Sequence, residues 1–281
     1  MRDSFKSRIG FVLAAAGSAV GLGNIWGFPT QVANHGGGAF LLVYLCVIFV
    51  LAIPALYSEM LIGHHAQANP VRSLKQLSEG RMRPVGGTMG LLNVIGSCLM
   101  LSFYHIVAGW MLVHALGYLA TAMGLSGVAE FLLTGSMVRD LVFTSVFLVL
   151  TASVVLKGVE QGIELWSKRL MPLLVVLLVG LIVYIASLPG AGEGFKTYLI
   201  PEVEQFTDPD IYIAAMGQAF FSLSIGLGGM MIYGSYLRPG AQLGRLSLSV
   251  AALDTLVAFL AGLLIIPALF VAIKLGVSVE Q

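Results

Sequence analysis

The chain has 281 residues, of which 58% are hydrophobic and only 10% are charged, against about a quarter charged in an ordinary soluble domain. Its formal net charge of +1 provides no positive field that would favour binding to nucleic acid. The cysteines, Cys46 and Cys98, lie in separate apolar segments, so we expect buried free thiols and no disulfide framework. The composition predicts an all-α, polytopic membrane protein.

Seven apolar segments are each near the roughly 20 residues that a helix needs to cross a bilayer. The first carries helix-breaking residues itself and is interpreted as a transmembrane helix, since no cleavable signal peptide is apparent. The third is long enough to be strongly tilted or to project beyond the membrane. The predicted spans are residues 9–32, 38–63, 88–121, 141–156, 168–188, 211–236 and 248–273.

Positive charge is divided unequally between the two sides of this map. Twelve Lys and Arg residues fall on the side of the N-terminus, and only Arg139, Lys196 and Lys274 fall on the other. Because cytoplasmic loops carry the excess of Lys and Arg, the N-terminus is predicted to be cytoplasmic. We expect a multi-pass protein of the cell membrane, in contact with lipid.

The first span carries the clearest functional signal. Residues 17–29 contain four glycines together with Asn24 and Pro29, all of which weaken a helix. In hydrocarbon an unpaired backbone group costs several kcal/mol, so unwound backbone is tolerated only where it is covered by protein or lines a polar cavity. The sequence therefore predicts a helix broken at mid-depth beside such a cavity.

The sixth span repeats this pattern, since residues 217–229 again combine glycines with serines. Two interrupted helices in corresponding positions, five spans apart, are typical of a transporter site between inverted repeats. The alternative is that the glycines only allow close helix packing, as small-residue patterns do.

Several ordered motifs resemble those of the neurotransmitter:sodium symporter family. The resemblance covers the whole chain, and its motifs are long and correctly spaced. They are residues 17–29 followed by 34–40, then Ile53, Pro54, Glu59 and Gly63, then Tyr104 and Trp110, and finally residues 208–236.

The resemblance implies a LeuT-like inverted-repeat fold with about seven transmembrane helices, the first and sixth broken. It implies a single transmembrane domain at residues 1–281, with a first five-helix repeat at residues 9–188 and the start of an inverted repeat at residues 211–273. Since the family's second repeat extends further, the chain is interpreted as an incomplete form of a transporter of the bacterial inner membrane.

By the same resemblance, the chain is a sodium-coupled symporter of a neutral, largely apolar amino acid, and not an enzyme. The substrate carboxylate would meet the free N–H groups at Leu22 and Gly23, with their positive helix-dipole end, and the hydroxyl of Tyr104. The amine and side chain would be bound by Ser18, Ala19, Met100, Phe221, Ser222, Ser224 and Leu227.

Sodium ions would be the coupling ions, held by hard oxygen ligands. The resemblance implies one site formed by the substrate carboxylate and by Ala19, Asn24, Ser222 and Asp254. A second site would use the carbonyls of Gly17 and Val20, and its remaining ligands belong to an eighth helix in the family.

Further residues would support or gate this site. In relatives the counterpart of Glu59 braces the unwound part of the sixth helix by accepting backbone N–H groups. Arg2, Phe5 and Tyr236 resemble the residues that close the cytoplasmic gate. Gly27 stands where most relatives carry an Arg that helps close the outer side, so a charge-assisted outer gate is missing.

Asp254 stands where most relatives carry Asn, and an intramembrane carboxylate is a functional candidate because it is costly unless paired. Ala258 lies where chloride-dependent relatives place a hydroxyl ligand. Our hypothesis is that Asp254 supplies the negative charge, which would make transport independent of chloride and would allow coupling to a proton in its place. The alternative is a protonated Asp254 that is only hydrogen-bonded between helices.

Two other function classes compete with transport. An intramembrane enzyme is poorly supported, because hydrolase and phosphate-loop motifs are absent from the sequence. Ser102 and His105 lie one helical turn apart but have no third member, which favours packing. A channel-like or structural membrane subunit is harder to exclude, since broken helices also line pores. The sequence does not indicate an oligomeric state.

Overall fold

The computed structural model describes Phe5 and residues 7–276. Within this part the chain is helical almost throughout, and its only β-type pairing is an isolated bridge between Gly37 and Pro201. The all-α prediction is confirmed.

The first predicted span consists of two helices joined by a bend. Helix α1, Arg8–Ala19, begins where the Ser7 hydroxyl accepts the Gly10 N–H at 2.9 Å, which satisfies one free donor of the first turn. The chain resumes in π-helical geometry over Gly23–Gly27 and continues as α2, Phe28–Asn34. The two parts are bent by 59°, so the predicted break is confirmed.

The second and third spans are long. Helices α3, Gly38–Val47, and α4, Ile53–Ala66, are joined by one π-helical turn into a single span. A short helix, α5, Pro70–Leu77, precedes α6, Arg83–Ala122. With 40 residues, α6 is about 60 Å long, roughly twice the hydrocarbon thickness, as the third segment led us to expect.

The rest of the chain alternates long spans with short helices. Two further segments are not α-helical, a π-helical turn at Val159–Glu164 and a 3₁₀ segment at Val203–Thr207. The α-helices are α7, Ser126–Leu133; α8, Met137–Val155; α9, Leu165–Ala186; α10, Ala191–Leu199; α11, Pro209–Ser222; α12, Gly229–Ser235; and α13, Leu243–Lys274.

All seven predicted spans fall on helices. Within the described residues, five uninterrupted runs are long and apolar enough to cross a membrane, and the bent first pair makes a sixth. The predicted sixth span, residues 211–236, is not a continuous helix, because six non-helical residues separate α11 from α12. With 14 and 7 residues, neither helix is long enough to cross a bilayer alone.

The buried core lies around α1, α2 and α13. Small side chains at Ala14, Ala15 and Ala16 let α1 pack closely, and α13 contributes Val250 and Ala251 to the same core. By contrast, α6, α8 and α9 expose many large apolar side chains, as expected of helices that face lipid.

The two cysteines correct one expectation. Cys46 and Cys98 are free thiols, as predicted, but both are exposed rather than buried. Each lies on the outward surface of an apolar helix, where sequence hydrophobicity alone does not distinguish a core-facing position from a lipid-facing one.

Candidate functional site

The break in the first span is produced by one diverted hydrogen bond. An uninterrupted helix would pair the Gly21 N–H with the Gly17 carbonyl four residues earlier. Instead, Gly21 N donates to Asn24 Oδ1 at 3.0 Å, and Val20 takes an extended backbone conformation. The turn leaves helical backbone N–H groups starting near Leu22 and Gly23, as anion-binding helix ends do.

A buried polar cluster joins this turn to two other helices. Asn24, Ser222 and Asp254 are each at most 1% exposed. Asn24 Nδ2 donates to Asp254 Oδ1 at 2.8 Å, to Ser222 Oγ at 3.0 Å and to the Asp254 carbonyl at 3.1 Å. Ser222 Oγ in turn donates to Asp254 Oδ2 at 2.8 Å. The structure thus brings three of the predicted sodium ligands into direct contact.

The arrangement of this cluster has a chemical consequence. The Asn24 amide nitrogen lies among three oxygen atoms contributed by Ser222 and Asp254. Oxygen ligands grouped in this way suit a hard cation, and a small cation could take the position that the amide nitrogen fills. The Asn24 side chain would then turn so that Oδ1, now bonded to Gly21 N, faces the ion.

Two residues near this cluster were missed by the sequence analysis. Gln218 Nε2 donates at 2.8 Å to the carbonyl of Gly23, the first residue of the π-helical turn. Gln218 precedes Ser222 by one helical turn on α11, so helical spacing could have found it. Tyr44 is fully buried, packs its ring 4.8 Å from that of Phe28, and among the described residues its buried hydroxyl has no hydrogen-bond partner.

The unwound part of the sixth span requires unusual backbone angles. Gly226 and Gly228 have φ values of 90° and 75°, and Ser224 has a φ of 52°. These positive φ values account for the two glycines, since other residues are strained there. The segment is held by Glu59, whose Oε1 accepts the Gly226 N–H at 2.6 Å, and by Ser97, whose Oγ donates to the Leu227 carbonyl at 2.8 Å.

Two glycines outside residues 217–229 serve close helix packing. Gly234 on α12 and Gly63 on α4 each lie directly against backbone of the facing helix, with no room for a Cβ. The two helices therefore pack backbone to backbone, as small residues allow. Within residues 217–229, by contrast, an added Cβ at Gly217, Gly226 or Gly229 would meet nothing within 4 Å, so close packing does not account for these three glycines.

A cavity of about 520 Å³ lies beside both breaks. Five predicted substrate residues line it, and the described residues in its wall include no charged side chain. Phe5 and Tyr236, both predicted gating residues, line it too. The five substrate residues are Ser18, Met100, Tyr104, Ser224 and Leu227.

Some predicted residues lie elsewhere. Phe221 does not line the cavity; it is 41% exposed, and its ring lies against Gly23, 3.1 Å from the position of a Cβ there. Its carbonyl accepts the Ser224 N–H at 3.1 Å. Gly17 faces Ser167 and Met171 on α9.

The remaining predicted residues are placed as follows. Ala19 is buried at the end of α1, and the adjacent Val20 is half-buried. Phe5 stacks on Tyr233, with ring centroids 6.0 Å apart. Arg2, the third gating residue, lies outside the described residues.

The sequence is similar to those of known sodium-dependent transporters. The sequence matches the sodium:neurotransmitter symporter family over residues 2–127 and 125–281. It is 38% identical over 271 residues to the uncharacterized sodium-dependent transporter YhdH of Bacillus subtilis, covering 95% of this chain and 59% of that protein. It is 27% identical over 326 residues to the sodium- and chloride-dependent taurine transporter of Bos taurus, covering 100% of this chain and 52% of that protein.

A solved structure is similar over nearly the whole chain. The crystal structure of MhsT in complex with L-phenylalanine is 41% identical and gives a TM-score of 0.84, covering 99% of this chain and 63% of that one. The predicted LeuT-like fold is therefore confirmed. The chain spans about half to three fifths of the length of the relatives it matches. The chain belongs to the sodium:neurotransmitter symporter family, whose members are sodium-coupled membrane transporters and not enzymes.

Proposed function

We propose that this chain carries the substrate and sodium sites of a symporter for neutral, largely apolar amino acids, which works by alternating access. The observation that carries the proposal is the uncharged cavity next to the broken first helix. An apolar wall suits an apolar side chain, while the free N–H groups near Leu22 suit a carboxylate. That MhsT is described in complex with L-phenylalanine supports the same substrate class.

The carboxylate would be held between the helix end and Tyr104. The ring and the hydroxyl of Tyr104 would lie 3.4 and 3.9 Å from a Cβ at Gly21, beside the start of this helix end. A hydroxyl donor and backbone N–H groups would then converge on the same anion. The substrate amine would find the carbonyl of Ala19, with Ser222 and Ser224 close to it.

Sodium would bind at the cluster of Asn24, Ser222 and Asp254, beside the substrate carboxylate. The buried oxygen atoms of the cluster support this assignment, because a hard cation prefers such ligands. A second sodium ion would use the carbonyls of Gly17 and Val20, with further ligands from other parts of the transporter. The diverted N–H of Gly21 supports this second assignment, since it leaves the Gly17 carbonyl without its usual helical donor.

Transport is proposed to be independent of chloride. Asp254 places a carboxylate directly against Asn24 and Ser222, so the site has its own negative charge. Replacement of chloride by gluconate should leave sodium-dependent uptake by the whole transporter unchanged. A large loss of uptake in gluconate would show that an added anion is needed and that Asp254 does not fill this role.

The proposal also covers the orientation in the membrane, the division into repeats and the residues that support the site. The N-terminus is assigned to the cytoplasm of a bacterial inner membrane, on the strength of twelve positive charges against three. Residues 9–188 are assigned to a first five-helix repeat and residues 211–273 to the start of an inverted second one. Glu59 is assigned the bracing of the unwound segment, and Phe5 and Tyr236 a role at the cytoplasmic end of the cavity.

Binding of labelled L-phenylalanine to the purified protein, with sodium or with potassium, tests the function. We expect saturable binding only in sodium. Tyr104→Phe should weaken it by about tenfold or more, because a hydrogen bond to a charged group contributes about 1.5–3 kcal/mol. Tyr118→Phe is the matched control, since Tyr118 lies on the same helix and is 66% exposed. Conductance without saturable binding would instead support the channel-like alternative, and neither activity would support a structural subunit.

A further inference from the structure

One wall of the cavity is fixed by its backbone. Leu227 lines the cavity from the unwound segment, and its carbonyl accepts the Ser97 hydroxyl at 2.8 Å. Immediately before it, the Gly226 N–H is held by Glu59 Oε1 at 2.6 Å. Immediately after it, Gly228 has a φ of 75°, which few other residues adopt. The backbone at Leu227 therefore has little freedom to retreat.

The side chain of Leu227 leans against a glycine of the long helix α6. A Cβ at Gly96 would lie 3.3 Å from Leu227 Cδ2, closer than ordinary van der Waals contact. The cavity-lining residues of α6 begin at Ser97 and continue with Met100 and Tyr104, so Gly96 lies at the edge of the lining face and behind Leu227. The missing side chain at Gly96 leaves a notch that Leu227 partly fills.

We propose that Gly96 sets the depth of the substrate side-chain subsite and adapts the cavity to bulky neutral amino acids, aromatic or large aliphatic. This inference rests on the proposed amino-acid transport. A side chain at position 96 would push Leu227, whose backbone is fixed on both sides, into the cavity. The space lost is at the apolar wall, so large substrates would lose affinity and small ones such as alanine would not.

The test compares L-phenylalanine with L-alanine in sodium-dependent binding to the whole protein. Gly96→Val should lower the preference for phenylalanine over alanine by about tenfold or more, the range expected when apolar volume is removed from a pocket. Gly96→Ala should lower it in the same direction by a smaller factor. Gly87→Ala is the control, because Gly87 lies on the same helix and the nearest atom to its added Cβ is 3.8 Å away.

A second change identifies Leu227 as the group that moves. In the Gly96→Val background, Leu227→Ala should restore binding of phenylalanine, because it removes the side chain that was pushed inwards. If thermal unfolding shows that Gly96→Val does not fold, the smaller shift in Gly96→Ala decides the question.

The outcomes separate this inference from the function on which it rests. If the unaltered protein binds neither amino acid in sodium, the proposed function is wrong. If it binds them and the folded Gly96 variants keep the same preference as Gly87→Ala, the notch does not set substrate size and the inference is overturned.

Discussion

Gly10 lies directly against the carboxylate of Glu164, with no space for even one methyl group between them. Glu164 is 2% exposed, accepts Lys168 Nζ at 2.6 Å and receives the Ser7 hydroxyl at 3.3 Å. This contact joins the start of α1 to the π-helical turn before α9. It fixes the end of the same helix whose other end forms the break.

We expect Gly10→Ala to destabilise the protein, because the added methyl displaces a buried, hydrogen-bonded carboxylate. Overpacking of this kind costs about 1–3 kcal/mol, more than the gain of up to about 1 kcal/mol that alanine brings to a helix. Thermal unfolding in detergent measures the effect. Gly180→Ala on α9 is the control, since nothing lies within 4 Å of its added Cβ, and it should be neutral or stabilising. An equal response of the two variants would contradict the tight contact.

Asp254→Ala should weaken the stabilisation of the protein by sodium. The change removes the two carboxylate oxygens to which Asn24 Nδ2 and Ser222 Oγ donate, and loss of a partner of this kind costs about 10- to 100-fold in metal affinity. The measurement is the sodium concentration that gives half of the maximal thermal shift. Asp140→Asn, on an exposed carboxylate that pairs with Arg139, should leave that concentration unchanged. An unchanged value in Asp254→Ala would remove this cluster from the sodium site.

Replacement of Glu59 should separate its hydrogen bond from its charge. Glu59→Ala removes a buried side chain and its hydrogen bond to the Gly226 N–H, and a hydrogen bond to a charged group contributes about 1.5–3 kcal/mol. Glu59→Gln keeps an oxygen in the same position and should retain most of the stability and of the phenylalanine binding. If both variants lost stability equally, the charge rather than the hydrogen bond would be the important property.

Ser224→Gly should raise the stability of the fold. Ser224 has a φ of 52°, and a left-handed backbone costs a residue with a Cβ about 1–2 kcal/mol. Part of this gain is lost to the entropy of glycine in the unfolded chain, so we expect a net gain of about 0.5–1 kcal/mol. Ser58→Gly on α4 has helical backbone and should lower stability instead. Since Ser224 lines the cavity, substrate binding should be measured alongside.

Both broken helices could be predicted from the sequence because their causes are local. Glycines and Asn24 in an otherwise apolar span identify the first break, and Gly226 and Gly228 identify the second. In the structure both of these glycines adopt positive φ values. The π-helical turn at Ile48–Ala52 contains only ordinary apolar residues, but Pro54 follows it by two positions. Proline has no N–H to donate to the Val50 carbonyl four residues earlier, and its ring crowds that carbonyl, so this turn also has a local cause.

The polar cluster was predictable in part, because polar residues in apolar spans need partners. Asn24 and Asp254 are polar residues in apolar spans, and they meet in the structure. Phe221 shows the limit, because it lies on α11, and whether its ring faces the cavity or Gly23 depends on how α11 packs against the π-helical turn at Gly23–Gly27. Tyr44 reaches the cluster through long-range packing against Phe28, which no local pattern records.

The hydrogen bonds of Asn24 would make ion binding at the proposed site an exchange. Its amide nitrogen already satisfies the oxygens of Asp254 and Ser222, so a cation would gain those contacts only as the amide gave them up. If Asn24 Oδ1 turned to the ion, it would also release the N–H of Gly21. That donor lies at the break in the first span and would become free for an anion. Sodium arrival would then prepare the backbone that receives the carboxylate, which couples the two cargoes through one side-chain rotation.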